Sequence, residues 1–408
     1  MRTSAARLAL ETSRTLRDPE TIARSLPARS VHTLSYGLAG TALLHACLTP
    51  AEPGSARTAA AHWRAATRFL GTAPADGIHT GPGALAASLI IGCGYLPPTD
   101  PHHALVPRAT AWLTARATAL ARHHYHLSTS RYGTPWAVYD AIKGLTGIGR
   151  VLLAARPRSR AEAEPGLYAA VDALTDLTLT PRGARPGWWL AADRHPPTTL
   201  PIPASGAATT GIAHGIAGPL AFLATAHREG CTRPRQLEAI RTAARWLVEW
   251  QSPDHTWPPH VSGQALDRDD KPAPRAQGRT TAWCYGTPGI AVALTAAHHA
   301  LGAPDRHHAT HAVHAAHAAL NALGARPPTD WDTTGTALCH GTAGVLQCAH
   351  RLAHPPLLTH AARATMDSHP PHPHGFLTGR AGTALALADF GGVLPRLAHG
   401  WDSVLLVS

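Results

Sequence analysis

The chain is short of long apolar runs, paired cysteines, lysine and aromatic residues, and each shortage removes a class of protein. No uninterrupted apolar stretch reaches the roughly 18 residues that suggest a membrane span; the best candidate, residues 84–96, is broken by Ser88, Gly92 and Gly94. The expectation is a soluble protein with no integral membrane segment. Residues 1–15 carry arginines and Glu11 and contain no compact apolar stretch followed by a small-residue cleavage site. That argues for a cytoplasmic location, at most peripheral to a membrane-associated complex. Six cysteines in 408 residues are too sparse for a disulfide scaffold and none forms a Cys-x-x-Cys pair, so a reducing compartment is the default.

Lysine occurs only at Lys143 and Lys271, so 34 of the 36 basic residues are arginines, and against 25 acidic residues the chain carries +11 with its 29 histidines neutral. Such a balance speeds encounter with anionic partners. No basic block is interleaved with aromatics, which make up only 5% of the chain, so an acidic peptide is favoured over nucleic acid. At 44% hydrophobic and 15% charged the chain is no disordered tail, and its length allows several ordinary domains or one large closed unit.

What the chain has instead is a repeat. A Gly-x-x-Gly motif opens an apolar, helix-like run at Gly37-Leu38-Ala39-Gly40, Gly144-Leu145-Thr146-Gly147, Gly215-Ile216-Ala217-Gly218, Gly286-Thr287-Pro288-Gly289, Gly341-Thr342-Ala343-Gly344 and Gly379-Arg380-Ala381-Gly382, with an imperfect seventh copy at Thr80-Gly81-Pro82-Gly83. Successive second glycines lie 38 to 71 residues apart, room for a helix pair and its loops. The runs show no alternation of β-branched residues that would argue strands. Pro219 suits a first helical position, and residues 238–251 and 309–323 read as second helices of their pairs. Residues 181–210 and 252–277, rich in proline and glycine, read as surface loops. Helix pairs that cannot bury their apolar faces alone stack into an open solenoid or close into a ring. Uneven spacing favours closure, so the expected fold is all-α: an α/α toroid, a double ring of seven helix pairs. Residues 1–30 read as a helical lead-in and residues 31–408 as one toroidal catalytic domain.

If each motif starts an inner helix, the residues just before it face one end of a common cavity. Those positions hold Ser35-Tyr36, Ile78-His79, Ile142-Lys143, Ala213-His214, Cys284-Tyr285, Cys339-His340 and Leu377-Thr378. Cys284, Cys339 and His340 form a Cys₂His set, the donor pattern of catalytic zinc when a fourth position stays open; His214 or His79 would supply a fourth protein ligand if the ring is small. His214 is a candidate acid or base, since imidazole titrates near neutrality. Asp140, in Trp136-Ala137-Val138-Tyr139-Asp140, is a candidate to orient a histidine, and by itself reads as a helix cap. His307, His311 and His314 sit at helical spacing and read as a solvated face. His369, His372 and His374, interrupted by prolines, read as a loop, and the Trp188-Trp189 pair reads as buried packing.

The motifs Trp283-Cys284-Tyr285-Gly286-Thr287-Pro288-Gly289 and Leu338-Cys339-His340-Gly341-Thr342-Ala343-Gly344, with Ala213-His214-Gly215-Ile216-Ala217-Gly218 upstream, resemble those of the lanthionine synthetase C-like family, and the resemblance spans roughly residues 35–385. It implies a double ring of helices that closes thioether rings in ribosomally made peptides, adding a cysteine thiol to dehydroalanine or dehydrobutyrine. By that resemblance one Zn²⁺ per chain would be held by Cys284, Cys339 and His340, His214 would transfer the proton with help from Asp140, and Tyr285 would lie in the same pocket. The family often carries an arginine four residues before the first zinc cysteine, where this chain has Thr280; Arg279, one place off, is the candidate enolate contact. The implied partners are a dehydrated precursor peptide with its leader, a separate dehydratase and a transporter, since nothing in the chain resembles a dehydratase or a nucleotide site.

The chemistry fits the residues. Coordination to zinc favours the thiolate, the species that attacks, and inner-helix N-termini with Arg279 would meet the enolate charge that follows. A glycoside hydrolase needs two placed carboxylates and Asp140 stands almost alone near the motifs; a zinc prenyltransferase shares only the architecture and the metal. A non-catalytic scaffold for a precursor peptide, and thiol addition from an external donor such as glutathione, remain the alternatives, the first disfavoured by intact Cys284, Cys339, His340 and His214.

Overall fold

The computed structural model describes residues 1–71, 73, 76–127, 132–196, 201–269 and 280–408. Its organisation follows from the second glycine of each motif. At Gly40, Gly83, Gly147, Gly218, Gly289, Gly344 and Gly382 a Cβ would fall 1.8–2.5 Å from the carbonyl oxygen six residues earlier. Only a residue without a side chain lets the entering loop fold back onto the first turn of the helix it feeds.

Fourteen longer helices carry the architecture. After α1 (Arg2–Thr15) they alternate between an inner and an outer position: α2 (Leu38–Leu48) and α3 (Ser55–Thr67), α4 (Gly81–Gly92) and α5 (Val106–Leu127), α6 (Leu145–Ala155) and α7 (Arg160–Leu179), α8 (Ala217–Arg228) and α9 (Gln236–Glu249), α10 (Thr287–Leu301) and α11 (Arg306–Gly324), α12 (Thr342–Arg351) and α13 (Pro355–Met366), then α14 (Arg380–Phe390). The even-numbered helices form the inner ring, each packing on the next and α14 returning to α2. Inner helices are buried all round, as all eleven residues of α2 and of α6 show. Outer helices are amphipathic: α9 buries Ala239, Ile240, Ala243, Ala244 and Leu247 at helical spacing and turns Arg245 and Glu249 to solvent. Helix α1, which carries no glycine motif, packs against α14 and supplies the outer partner of the seventh inner helix.

The loops entering the inner helices are joined into a closed girdle of backbone hydrogen bonds. Leu34 N–H donates to His79, Ile78 to Ile142, Ala141 to Ala213, Ala213 to Cys284, Cys284 to Cys339, Cys339 to Leu377 and Leu377 back to Ser35, at 2.9–3.3 Å. Every donor and acceptor comes from within a few residues of a glycine motif, so the helix ring and the loop ring share one register. At another level, the segment Trp401–Leu405 packs against α4 and α6. It is pinned by Trp283 Nε1 donating to the Leu405 carbonyl at 2.9 Å and by Arg150 Nη2, on α6, donating to the Ser408 carbonyl at 2.8 Å.

Two local expectations change. The stretches read as loops contain a small antiparallel sheet in the order β1 (Trp189–Leu190), β2 (Ala207–Thr209), β3 (His260–Ser262), with Trp189 opposite Ala208 and Ala207 opposite Ser262. Strands of two or three residues are too short to show a period. Pro219 is the third residue of α8, which starts at Ala217. No helix among the described residues is long and apolar enough to cross a membrane.

Candidate active site

The girdle sets the geometry of the site, because consecutive loops in it carry Asp140, His214, Cys284 and Cys339. Each side chain is placed by the loop that precedes an inner helix, and the hydrogen bonds between neighbouring loops fix their spacing. Cys284, Cys339 and His340 come together: one donor atom from each lies within 4.8 Å of the other two. A tetrahedral zinc with bonds of about 2.0–2.3 Å holds its donors roughly 3.3–3.8 Å apart, so the three side chains are close to a ligating arrangement before any ion arrives. Two thiolates and an imidazole are also the donor chemistry that zinc takes. Among the described residues, His79 and His214 are not part of this cluster, which offers three donors.

The thiols differ sharply in character. Burial pushes the Cys93 thiol up to about 12 and Cys231 up to about 11, and raises Cys47 and Cys348 as well. Cys284 is equally buried, yet the hydrogen bond from Cys339, and after it His340, holds its thiol well below the ordinary cysteine value. Among the described cysteines, those in the cluster are the ones placed for metal chemistry.

Beside the cluster stands a histidine–carboxylate pair. His214 Nδ1 lies 2.7 Å from Asp140 Oδ2, and with the carboxylate accepting, Nδ1 carries the proton and Nε2 faces away. Asp140 is 2% exposed. Its other oxygen, Oδ1, accepts the backbone N–H groups of Ile142, Lys143 and Gly144 at 3.0, 2.7 and 2.9 Å. The residue therefore combines two roles: it ties down the turn into α6 and it orients His214. The His214 ring is stacked on Trp136, with centroids 4.8 Å apart and planes at 15°, and its own carbonyl accepts from the Tyr139 hydroxyl at 3.0 Å. With one ring nitrogen tied, one face covered and the backbone held, the imidazole has one orientation.

Tyr285 stands between the two groups, its ring 5.9 Å from that of His214. Burial, and then the charge of Cys284, hold its phenol well above the ordinary tyrosine value, so it stays a hydrogen-bond donor. Arg279 lies outside the described residues. Thr280, at the position where the family often has arginine, donates its backbone N–H to Asp332 Oδ2 at 2.6 Å, and Thr281 to Oδ1 at 2.9 Å. His79 is fully buried in the next loop of the girdle with Nδ1 3.1 Å from Ser35 Oγ.

Three contributors escape sequence reasoning. Trp136 and Tyr139 precede Asp140 in the same stretch, but stacking on a histidine 78 residues away has no local signature. Tyr36, 42% exposed and edge-on to His372 at 5.5 Å, has its phenol raised by partial burial and by the nearby Cys339 of the cysteine–histidine cluster. Elsewhere the expectations hold: His307, His311 and His314 are exposed on α11, His369, His372 and His374 lie outside any helix, and Trp188 is buried.

No curated protein matches the chain in sequence. Among solved structures, nisin cyclase aligns with a TM-score of 0.75 and 20% identity over 97% of this chain and 98% of that one, a likeness that shows the fold. The family model for "lanthionine synthetase C-like protein" matches residues 108–354, a span that contains Asp140, His214, Cys284, Cys339 and His340. The chain belongs to the lanthionine synthetase C-like family.

Proposed function

We propose that the chain is a zinc-dependent lanthionine cyclase, which adds cysteine thiols to dehydroalanine or dehydrobutyrine within one ribosomally made peptide. The observation that carries this reading is the juxtaposition of the Cys284, Cys339 and His340 donors with the oriented His214–Asp140 pair. Cys284, Cys339 and His340 would hold the ion, and bound zinc supplies the charge that keeps a substrate cysteine as thiolate near neutral pH.

The remaining steps belong to the chain's own groups. As the sulfur–Cβ bond forms, the Cα–Cβ π bond breaks and its electrons move onto the neighbouring carbonyl as an enolate. Tyr285, kept protonated, donates a hydrogen bond at that end of the site, and Arg279 is assigned the same charge. His214 Nε2 takes the proton given up by the substrate thiol and delivers it to Cα, completing the thioether, while Asp140 stabilises the imidazolium form in between and prevents the ring from turning. Trp136 covers one face of the imidazole and excludes water from it. The substrate is a peptide already dehydrated by a separate protein; a transporter would take the product, and the reaction is placed in the cytoplasm.

The test is zinc stoichiometry on purified wild type, Cys284→Ala and Cys339→Ala, each with its helical content verified, together with thioether formation on a synthetic peptide carrying one dehydroalanine and one cysteine. One zinc in the wild type, lost in both variants with ring closure, supports the reading. A folded wild type that takes up no zinc overturns it, and zinc retention with thiol addition only from added glutathione would move the assignment to intermolecular chemistry.

A further inference from the structure

The outer ring is open between two of its helices. Helices α5, α7, α9, α11, α13 and α1 each pack against the next, and the short helix Pro19–Ser25 fills in against α3. Between α3 and α5 there is no comparable packing among the described residues. A cavity of about 420 Å³ opens there, and its floor is the inner helix α4, lined by the half-buried Leu85 and the buried Leu89. Trp63 of α3 and Trp112 of α5 form its walls. The Trp63 wall is braced: its Nε1 donates to Ser88 Oγ at 2.8 Å, and Ser88 donates to the Ala39 carbonyl at 2.7 Å. Leu105, on the lip, is 48% exposed. The brace keeps this apolar, concave surface open on the outer wall.

The rim decides what docks. Arg64 and Arg108 line the cavity and are exposed, and neither meets a carboxylate among the described residues. His102, also at the rim, is already paired with Asp100 at 2.7 Å. No acidic residue lines the cavity. An apolar trough flanked by two unanswered guanidinium groups complements a segment with apolar side chains on one face and carboxylates beside them. A second copy of this chain does not meet that description, because it brings another +11 to the contact and the same unanswered arginines.

We infer that the gap between α3 and α5 is the docking groove for an acidic amphipathic peptide segment. Resting on the cyclase reading, that segment belongs to the precursor, outside the residues that are cyclised. The groove lies on the outer wall, formed by helices other than those whose entering loops carry Asp140, His214, Cys284 and Cys339. A peptide held there is tethered to the protein while successive thiols visit the site, which raises their effective concentration without occupying it.

The experiment uses the full-length, zinc-loaded protein and a fluorescein-labelled synthetic helix with leucine at i, i+3, i+4 and i+7 and glutamate on the other face, followed by anisotropy. Its partner probe has lysine in place of every glutamate, and vesicles of anionic phospholipid form a third arm. The glutamate peptide should bind the wild type and weaken by about tenfold or more at high salt. The double variant Arg64→Glu, Arg108→Glu should weaken it by a similar factor and favour the lysine peptide instead, and Trp112→Ala should weaken both. Absence of binding, equal binding of the two peptides to the wild type, indifference to all three substitutions, or preference for the vesicles would each overturn the inference. Should the double variant prove unfolded by circular dichroism, Trp112→Ala and the salt series still decide. Zinc content and thioether formation are read separately, so a docking failure in an active cyclase and an inactive protein that still binds the peptide are distinct results.

Discussion

Asp140→Asn isolates the part of the site that orients the proton donor. The amide oxygen can take over the three backbone N–H groups now held by Oδ1, so the turn into α6 keeps its anchor. What changes is the 2.7 Å contact with His214: an NH₂ group now faces Nδ1, Nδ1 must become the acceptor, and the charge that stabilises the imidazolium is gone. A hydrogen bond to a charged group contributes about 1.5–3 kcal/mol, which at 1.4 kcal/mol per decade is roughly a 10- to 150-fold loss in the rate of ring closure. Asp140→Ala, in contrast, orphans three buried donors at about 1–3 kcal/mol each and should lower the melting temperature as well as the rate. The assay is quenched-flow alkylation of unreacted thiol on a dehydrated model peptide, read by mass, beside a thermal melt for each variant. An Asn variant with wild-type rate and wild-type stability would refute the orientation argument, and one that is as unstable as the Ala variant would show that Oδ1 dominates instead.

Other outcomes follow from the same coordinates. Gly344→Ala places a methyl 2.1 Å from the Leu338 carbonyl and should destabilise the fold by about 1–3 kcal/mol or more, whereas Gly54→Ala meets nothing within 4 Å and should leave the melt within about 1 kcal/mol of wild type. Burial lowers His45 to about 3 and His62 to about 4, outweighing the opposite effect of the Leu16 and Arg17 carbonyls that their rings contact. Their folded values lie below the unfolded value near 6.5, so the unfolded chain binds the extra protons and their stabilising contribution is complete above pH 6.5 and falls as pH drops towards 4. Urea midpoints at pH 7 and pH 5 test this, and an unchanged midpoint refutes it. Arg150→Ala should cost about 1–3 kcal/mol by leaving the Ser408 carbonyl without its buried donor, measured by the same denaturation.

The parts of this structure legible in the sequence are those enforced by a local clash or a local spacing. The seven second glycines announce themselves because any side chain would strike a carbonyl, and from them the inner helices, the loop positions and the cluster of Cys284, Cys339 and His340 could be placed. Contacts between elements without a motif could not. Helix α1 reads as a lead-in because nothing in its fourteen residues says that α14 lacks an outer partner. Asp140 alone reads as a cap, and its second oxygen acquires a purpose only when the loop before α8 is seen beside it. The sheet fails for want of length, Trp136 for want of any local sign that it stacks on His214, and the α3–α5 gap because an absence of packing is a property of two helices together. Arg279 was nominated by offset from a family position and lies outside the described residues.

The girdle has a consequence for how the molecule is put together. Six of its seven links join loops that are neighbours in sequence order, so they can form progressively as each helix pair is added. The seventh, between the loops at Leu34–Ser35 and Phe376–Leu377, joins segments about 340 residues apart, and its closure entropy grows only with the logarithm of that distance. Until it forms, the string of helix pairs is an open arc with two raw apolar faces, at α2 and at α14. The loops carrying Asp140, His214, Cys284 and Cys339 sit in the interior of that arc, where both neighbours are supplied by nearby sequence. The chemistry is thus housed in loops whose girdle partners come from nearby sequence, with Cys339 one link away from the seam through its bond to Leu377.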